Sequence, residues 1–181
     1  MKLRNILILL VIFLALGGYF YYSNQPGPPA KPKTQLYVWL IDMDEIQHIE
    51  IELPRDGTSQ AFIKEEDRSW SFDNSERLAV NMERWGGGIP LILSGPSTSR
   101  VISVNTTDKK MIEFGIAEPQ MIVSLTLNSG RVLEIIVGDN TPDGINYYVQ
   151  APGSREIALV DFTWFEVLAR LVTEPPYPID E

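Results

Sequence analysis

The chain opens on a basic tip, Met1-Lys2-Leu3-Arg4-Asn5, and then runs without a charge from Ile6 to Tyr22. At about 1.5 Å of rise per residue this run covers roughly 25 Å as a helix, close to the ~30 Å of a bilayer's hydrocarbon core. Two cations precede it, and Tyr19-Phe20-Tyr21-Tyr22 closes it as an interfacial aromatic belt does. The pattern predicts a single transmembrane helix with Met1 in the cytoplasm and the bulk of the chain outside the cell membrane. Lys2, Arg4, Tyr19, Phe20, Tyr21 and Tyr22 are its anchoring residues. A removable signal peptide is the alternative, with Ala15-Leu16-Gly17 as a small-x-small cleavage site; the apolar character that continues past Gly17 favours retention.

Beyond the anchor the periodicity changes to two. In Ile46 to Leu53, Ile49, Ile51 and Leu53 share one face while His48, Glu50 and Glu52 share the other, the mark of a half-buried strand. Pro54-Arg55-Asp56-Gly57 is turn chemistry, Gln60 to Lys64 returns as a partner strand, and Trp70-Ser71-Phe72 is a short third. Asp73 and Glu76 then stand at capping-box spacing, and Leu78, Met82, Trp85 and Ile89 follow at helical intervals until Gly86-Gly87-Gly88 stops or loosens the helix.

The same order returns later in the chain. Ile122 to Leu127 and Val132 to Val137 flank the turn Asn128-Ser129-Gly130, and Ile145 to Val149 and Glu156 to Val160 add two strands. Thr163 and Glu166 form a second capping-box pair ahead of a helix burying Trp164, Phe165, Leu168 and Leu171. Between the halves, Thr107 to Gly115 reads as one short capped helix. The predicted class is α+β: antiparallel sheets, each packed by an amphipathic helix, in two repeated sheet-plus-helix units. The domain plan is 1–22 for tip and anchor, 23–33 for a Pro-rich spacer, 34–172 for the folded domain and 173–181 for an extended tail.

Charge and composition narrow the partners. The whole chain carries a formal net charge of −9, and setting aside Lys2 and Arg4 leaves the outer part at −11. Such a surface repels nucleic acid and anionic lipid. No cysteine is present, which excludes disulfides and an acylated-cysteine anchor, so stability comes from packing.

Phe114-Gly115-Ile116 with Pro119, then a strand, Gly130 and Leu133 through Val137-Gly138, resembles the tyrosine-glycine-leucine and proline core of the bacterial family called domain of unknown function 4340. Trp70 upstream, and Tyr147-Tyr148-Val149 and Val160-Asp161 downstream, fall where that family places such residues. Phe114 replaces the usual tyrosine and Ile116 the usual leucine. The resemblance implies a membrane-anchored extracytoplasmic domain associated with ABC-type transport systems of the gliding-motility kind, and it implies no catalytic residues.

Candidate chemistry is thin elsewhere too. His48 is the single histidine, on the polar face of a strand, too little for a zinc site or a Ser-His-Asp triad. Asp139-Asn140-Thr141-Pro142-Asp143-Gly144 imitates the start of a calcium loop, but Gln150 stands where the closing carboxylate belongs, so a polar hairpin turn is expected. Trp85-Gly86-Gly87-Gly88 lacks the lysine of a phosphate loop. Thr106 and Lys109 have the spacing of a Ser/Thr-x-x-Lys dyad without companion motifs. The clusters Asp42, Asp44, Glu45 and Glu65, Glu66, Asp67 lie in polar turn or edge sequence rather than in apolar pockets.

Leu36-Tyr37-Val38-Trp39-Leu40-Ile41 is wholly apolar just past the spacer. It is either a buried strand, which its β-forming residues favour, or a contact with a partner membrane protein through Tyr37, Trp39 and Leu40. The expectation is a non-enzymatic domain without metal or cofactor, binding the membrane and other membrane-protein subunits. An independent envelope module for a small molecule or glycan is the rival.

Overall fold

The computed structural model describes residues 3–23, 36–151 and 153–178, and the chain divides into two units, Met1–Thr34 and Gln35–Glu181. In the first, helix α1 spans Leu3–Ser23, 21 residues. Its described side chains are Arg4 and those at 10–20, where Tyr19 and Phe20 are exposed. Among the described residues no helix is long and apolar enough to cross a membrane. Lys2, the side chains of Tyr21 and Tyr22, the Pro-rich spacer from residue 24 on and the end of the tail at 179–181 lie outside the described residues.

The second unit is α+β and is built on one nine-stranded antiparallel sheet. Its elements are β1 (Leu36–Tyr37), β2 (Ile46–Leu53), β3 (Thr58–Lys64), β4 (Trp70–Phe72), α2 (Met82–Trp85), α3 (Ile89–Ser94), β5 (Ser97–Ser103), α4 (Asp108–Glu113), β6 (Met121–Leu127), β7 (Val132–Asn140), β8 (Asn146–Gln150), β9 (Ile157–Asp161) and α5 (Phe162–Thr173). The spatial order is β1-β5-β9-β8-β7-β6-β2-β3-β4. The separate sheets expected from the sequence are thus one sheet. They join where β2 pairs antiparallel with β6, Ile49 opposite Leu125 and Ile51 opposite Val123.

Period-two patterning decides which face is buried. Ile49, Ile51 and Leu53 on β2, Val123, Leu125 and Leu127 on β6, and Ile135 and Val137 on β7 all point to one core. Helix α5 lies over it with Trp164, Leu168, Leu171 and Val172 buried at helical spacing. Each such side chain contributes about 1.5–3 kcal/mol on burial. That outweighs the few tenths lost to the weak helix propensity of Thr and Val in α5. The helix starts on Asp161, whose Oδ1 accepts from the Thr163 N–H and Oγ1–H, and not on the expected Thr163–Glu166 box.

The other predicted helix is much shorter than the periodicity suggested. Asp73 and Glu76 cap nothing helical: Asn74 Oδ1 accepts from the Glu76 and Arg77 N–H groups in a turn, and Leu78 and Met82 are exposed. Helix α2 begins only after Asn81, whose Oδ1 accepts from the Glu83 and Arg84 N–H groups, and it ends at Gly86 with φ +66°. Of the four expected positions Trp85, 1% exposed, and Ile89, 4% exposed at the start of α3, are buried, and the Trp85 ring centroid lies 4.7 Å from Phe62 and 5.5 Å from Trp70. The first residues of the tail lie along this end of the sheet. Asn81 N–H donates to Pro176 O at 2.8 Å, and Tyr177 stacks on Phe72 at 4.6 Å.

Candidate functional site

Two features of the second unit stand out: a glycine-mediated junction at its centre and an apolar surface at its start. At the junction, α4 ends in Phe114 and Gly115, the latter with φ +71°, a conformation that favours glycine. The chain then folds back so closely that the Asp139 N–H donates to Phe114 O at 2.8 Å. A β-carbon on Gly115 would lie 2.5 Å from Asp139 Cγ, and one on Gly138 would collide with Phe114 O and meet Ile116 Cδ1 at 3.1 Å. Two glycines therefore let two backbones touch. Arg55 closes the junction from β2's turn, donating to Glu118 O through Nε at 3.1 Å and Nη2 at 2.7 Å, and to Asp139 Oδ1 at 2.7 Å. Gln120 Nε2 adds a longer bond to the same carboxylate oxygen, 3.4 Å.

This geometry answers what the Asp139 loop does. Asp139 is held by Arg55, and Asp143 Oδ1 accepts from Thr141 Oγ1 at 2.5 Å and from the Ile145 N–H at 3.1 Å. These donors hold the Asp143 carboxyl below its ordinary value of 3.8, the Thr141 hydroxyl first and the Ile145 N–H second. The expected hairpin turn is what forms, with Gly144 at φ +75°.

The apolar run after the spacer is not the buried strand that its residue types favoured. Only Leu36 and Tyr37 pair, as the edge strand β1 opposite Thr98 and Ser97. Beyond them the backbone leaves the ladder and hangs on the end of α3 and the residues just after it, through Ile41 N–H to Ser94 O and Val38 N–H to Pro96 O, each 2.9 Å. Trp39 is half-buried and donates its indole Nε1–H to Leu93 O at 2.7 Å. Tyr37 and Leu40 face outward, 42% and 73% exposed. Both lean over Gly95, whose β-carbon, if present, would meet Leu40 Cδ1 at 3.1 Å and Tyr37 Cδ1 at 3.3 Å. Leu36, Met43 and Leu91, on the same strand, the adjoining turn and α3, are exposed as well.

The remaining sequence candidates are dispersed. His48 Nε2 lies 3.0 Å from Asp73 Oδ2, tying β2 to the turn after β4. Asp42 caps the turn at 43–45 by accepting from the Asp44 N–H, Lys64 Nζ sits 3.6 Å from Asp44, and Arg77 sits 3.5 Å from Glu65. Asp67 accepts from the Ser69 hydroxyl and N–H, which keep its carboxyl below 3.8. The Thr106 hydroxyl is buried and, among the described residues, has no hydrogen-bond partner, so it makes no bond to Lys109. Among the described residues no three carboxylate or histidine side chains converge on one point as metal ligands do.

Sequence reasoning missed β5. Its polar positions Ser97, Ser99 and Ser103 dilute the alternation, and its pairing with β9 slips register twice.

The fold and the junction define an α+β domain in which Gly115 and Gly138 let two backbone segments pack against each other. Residues 92–173, from α3 to the end of α5, match the family model described as Domain of unknown function (DUF4340), which supports the resemblance. The match includes Phe114-Gly115-Ile116, Pro119, Gly130 and Gly138, and leaves Trp70 outside it. No curated protein and no solved structure matches the chain.

Proposed function

We propose that the chain is a single-pass, outward-facing membrane protein whose folded unit acts without catalysis as a binding or assembly subunit of a membrane complex, of the ABC transport kind that the family resemblance implies. The observation that carries this reading is the exposed apolar surface of Tyr37 and Leu40, extended by Leu36, Met43 and Leu91. Isolated exposed hydrophobics need no explanation; a group gathered on one strand, its following turn and one short helix does. It also lies at the first described residues after the spacer.

The anchor itself rests on the sequence, with 17 uncharged residues from Ile6 to Tyr22 behind two cations, and on the helical conformation of Leu3–Ser23. The halves of the sheet add a reading of their origin. The runs β2-β3-β4 and β6-β7-β8-β9 are each a meander, and they meet at the antiparallel β2–β6 pair, as two copies of a sheet-plus-helix unit would.

Gentle detergent extraction of the native membrane, affinity capture of the full chain and mass spectrometry test the assembly role. Stoichiometric integral-membrane subunits in the eluate support it. Recovery of the protein alone at full yield would sink it.

A further inference from the structure

On the sheet face opposite α5, the cross-strand register places three side chains of different character in one row. Arg100 on β5 is opposite Leu159 on β9, and Leu159 is opposite Tyr148 on β8. Neighbouring strands lie about 4.8 Å apart, so Arg100 and Tyr148 stand roughly 10 Å from each other with Leu159 as the floor between them. The turn from β7 to β8 raises a wall beside this row through Pro142 and Asp143, and Asn146 lies two residues from Tyr148 on the same face. Together they line a cleft of about 350 Å³, at the small end of the range for ligand pockets and suited to a single ring.

The polar groups of this cleft are available. Among the described residues, the Arg100 guanidinium, the Asn146 amide and the Tyr148 hydroxyl have no hydrogen-bond partner, whereas the guanidinium groups of Arg55, Arg77, Arg84 and Arg155 all bond to protein oxygens. Their frame is nonetheless rigid. The Tyr148 ring packs on Phe114 at 4.6 Å, and Thr141 Oγ1 fixes the wall by bonding Asp143 and both backbone groups of Asn146. Unpaired donors over an apolar floor, beside one cation, are what a hydroxylated ring bearing a carboxylate requires. Its apolar face covers Leu159 and Pro142, its hydroxyls reach Asn146 and Asp143, and its carboxylate takes the Arg100 fork.

The geometry points to a binding site for a carboxylated sugar unit of the uronic acid class in the Arg100–Leu159–Tyr148 cleft. The chain's net charge of −9 does not forbid this. Charges more than about 10 Å away are largely screened in physiological salt, while a bidentate contact with Arg100 is direct. The site is separate from the Tyr37–Leu40 surface and does not depend on the assembly role.

Saturation-transfer NMR and isothermal titration on the full chain in phospholipid nanodiscs test it, using methyl glucuronide and methyl glucoside as paired probes. Methyl glucuronide is expected to bind at least tenfold more tightly than the neutral glucoside, and Arg100→Gln is expected to remove that preference, as the loss of one charge-assisted pair does. Arg131→Gln, an exposed arginine on the β6–β7 turn, is expected to leave it intact. An amide spectrum of Arg100→Gln that overlays the parent outside the cleft establishes that the fold is kept. Equal binding of the two sugars, no saturation transfer to either, or an unchanged preference in Arg100→Gln would each overturn the assignment.

Discussion

The Asp139 N–H donates to the Phe114 carbonyl at 2.8 Å, bringing the end of α4 and the end of β7 into backbone contact. This approach exists only because Gly115 and Gly138 lack side chains. Gly138→Ala is therefore expected to destabilise the domain by about 2–4 kcal/mol, since the new carbon meets backbone rather than a movable side chain. Gly115→Ala adds the left-handed strain at φ +71° to a clash with Asp139. Urea unfolding followed by tryptophan fluorescence measures both, and a loss below about 1 kcal/mol in either variant would remove the junction's claimed role.

Arg55 closes that junction from the opposite half of the sheet, but its pair with Asp139 is close to half exposed on each side. Solvent screening keeps such a pair weak. Arg55→Met is expected to cost only about 1 kcal/mol, much of it from the two bonds to Glu118 O, which keep their value in 1 M salt better than the ion pair does. Comparing unfolding midpoints at low and high salt separates the two contributions.

Trp85 sits at the other pole of the core, against Phe62 and Trp70. Truncating a fully enclosed aromatic costs about 3–5 kcal/mol, so Trp85→Ala is expected to leave the domain marginal or unfolded. Asn81→Ala, which removes only the cap of α2, is expected to cost about 1 kcal/mol. Thermal melts followed by circular dichroism rank the two, and an inverted ranking would mean that Trp85 is less enclosed than described.

Asp143 gives a pH prediction with a definite sign. Its folded carboxyl is held below 3.8 by the Thr141 hydroxyl, so the associated stability is present above the unfolded value and is lost as pH falls through the lower folded one. Thr141→Val removes the principal donor, and the Asp143 carboxyl carbon is expected to titrate nearer 3.8. An unshifted NMR titration would show that the Ile145 N–H alone sets the value.

Much of this fold was legible because strands announce themselves by period two. Ile49-Glu50-Ile51-Glu52-Leu53 and Met121 to Leu127 bury alternate residues as their patterns require. What escaped were features decided at long range. The join of β2 to β6 depends on residues 74 positions apart in sequence, Ile49 and Val123 for instance lying on adjacent strands, and no local signal carries it. The helix expected from Leu78 to Ile89 gave way because the Asn74 turn and the Asn81 cap offered the backbone better local partners than helix continuation. At the candidate surface, residue type favoured a strand through Ile41, while the carbonyls of Leu93, Ser94 and Pro96 drew the chain off the ladder after Tyr37.

That departure is what exposes Leu40, and it gives the assembly reading its most selective test. Leu40 is 73% exposed, so Leu40→Asp removes little packing and is expected to change stability by no more than about 0.5 kcal/mol. Burying the new carboxylate against an apolar partner surface, however, costs several kcal/mol unless the partner supplies a cation. Trp39→Phe acts in the opposite sense. It keeps the apolar bulk but deletes the indole bond to Leu93 O, loosening the segment from inside while leaving the outward face unchanged. If partners bind this surface, Leu40→Asp loses the co-purifying membrane subunits at unchanged thermal stability, and Trp39→Phe lowers the melting temperature while largely retaining them. Quantitative mass spectrometry of both captures, beside melting curves of both proteins, distinguishes a contact surface from a merely structural segment. Full retention of the subunits by Leu40→Asp would move the interface elsewhere on the domain.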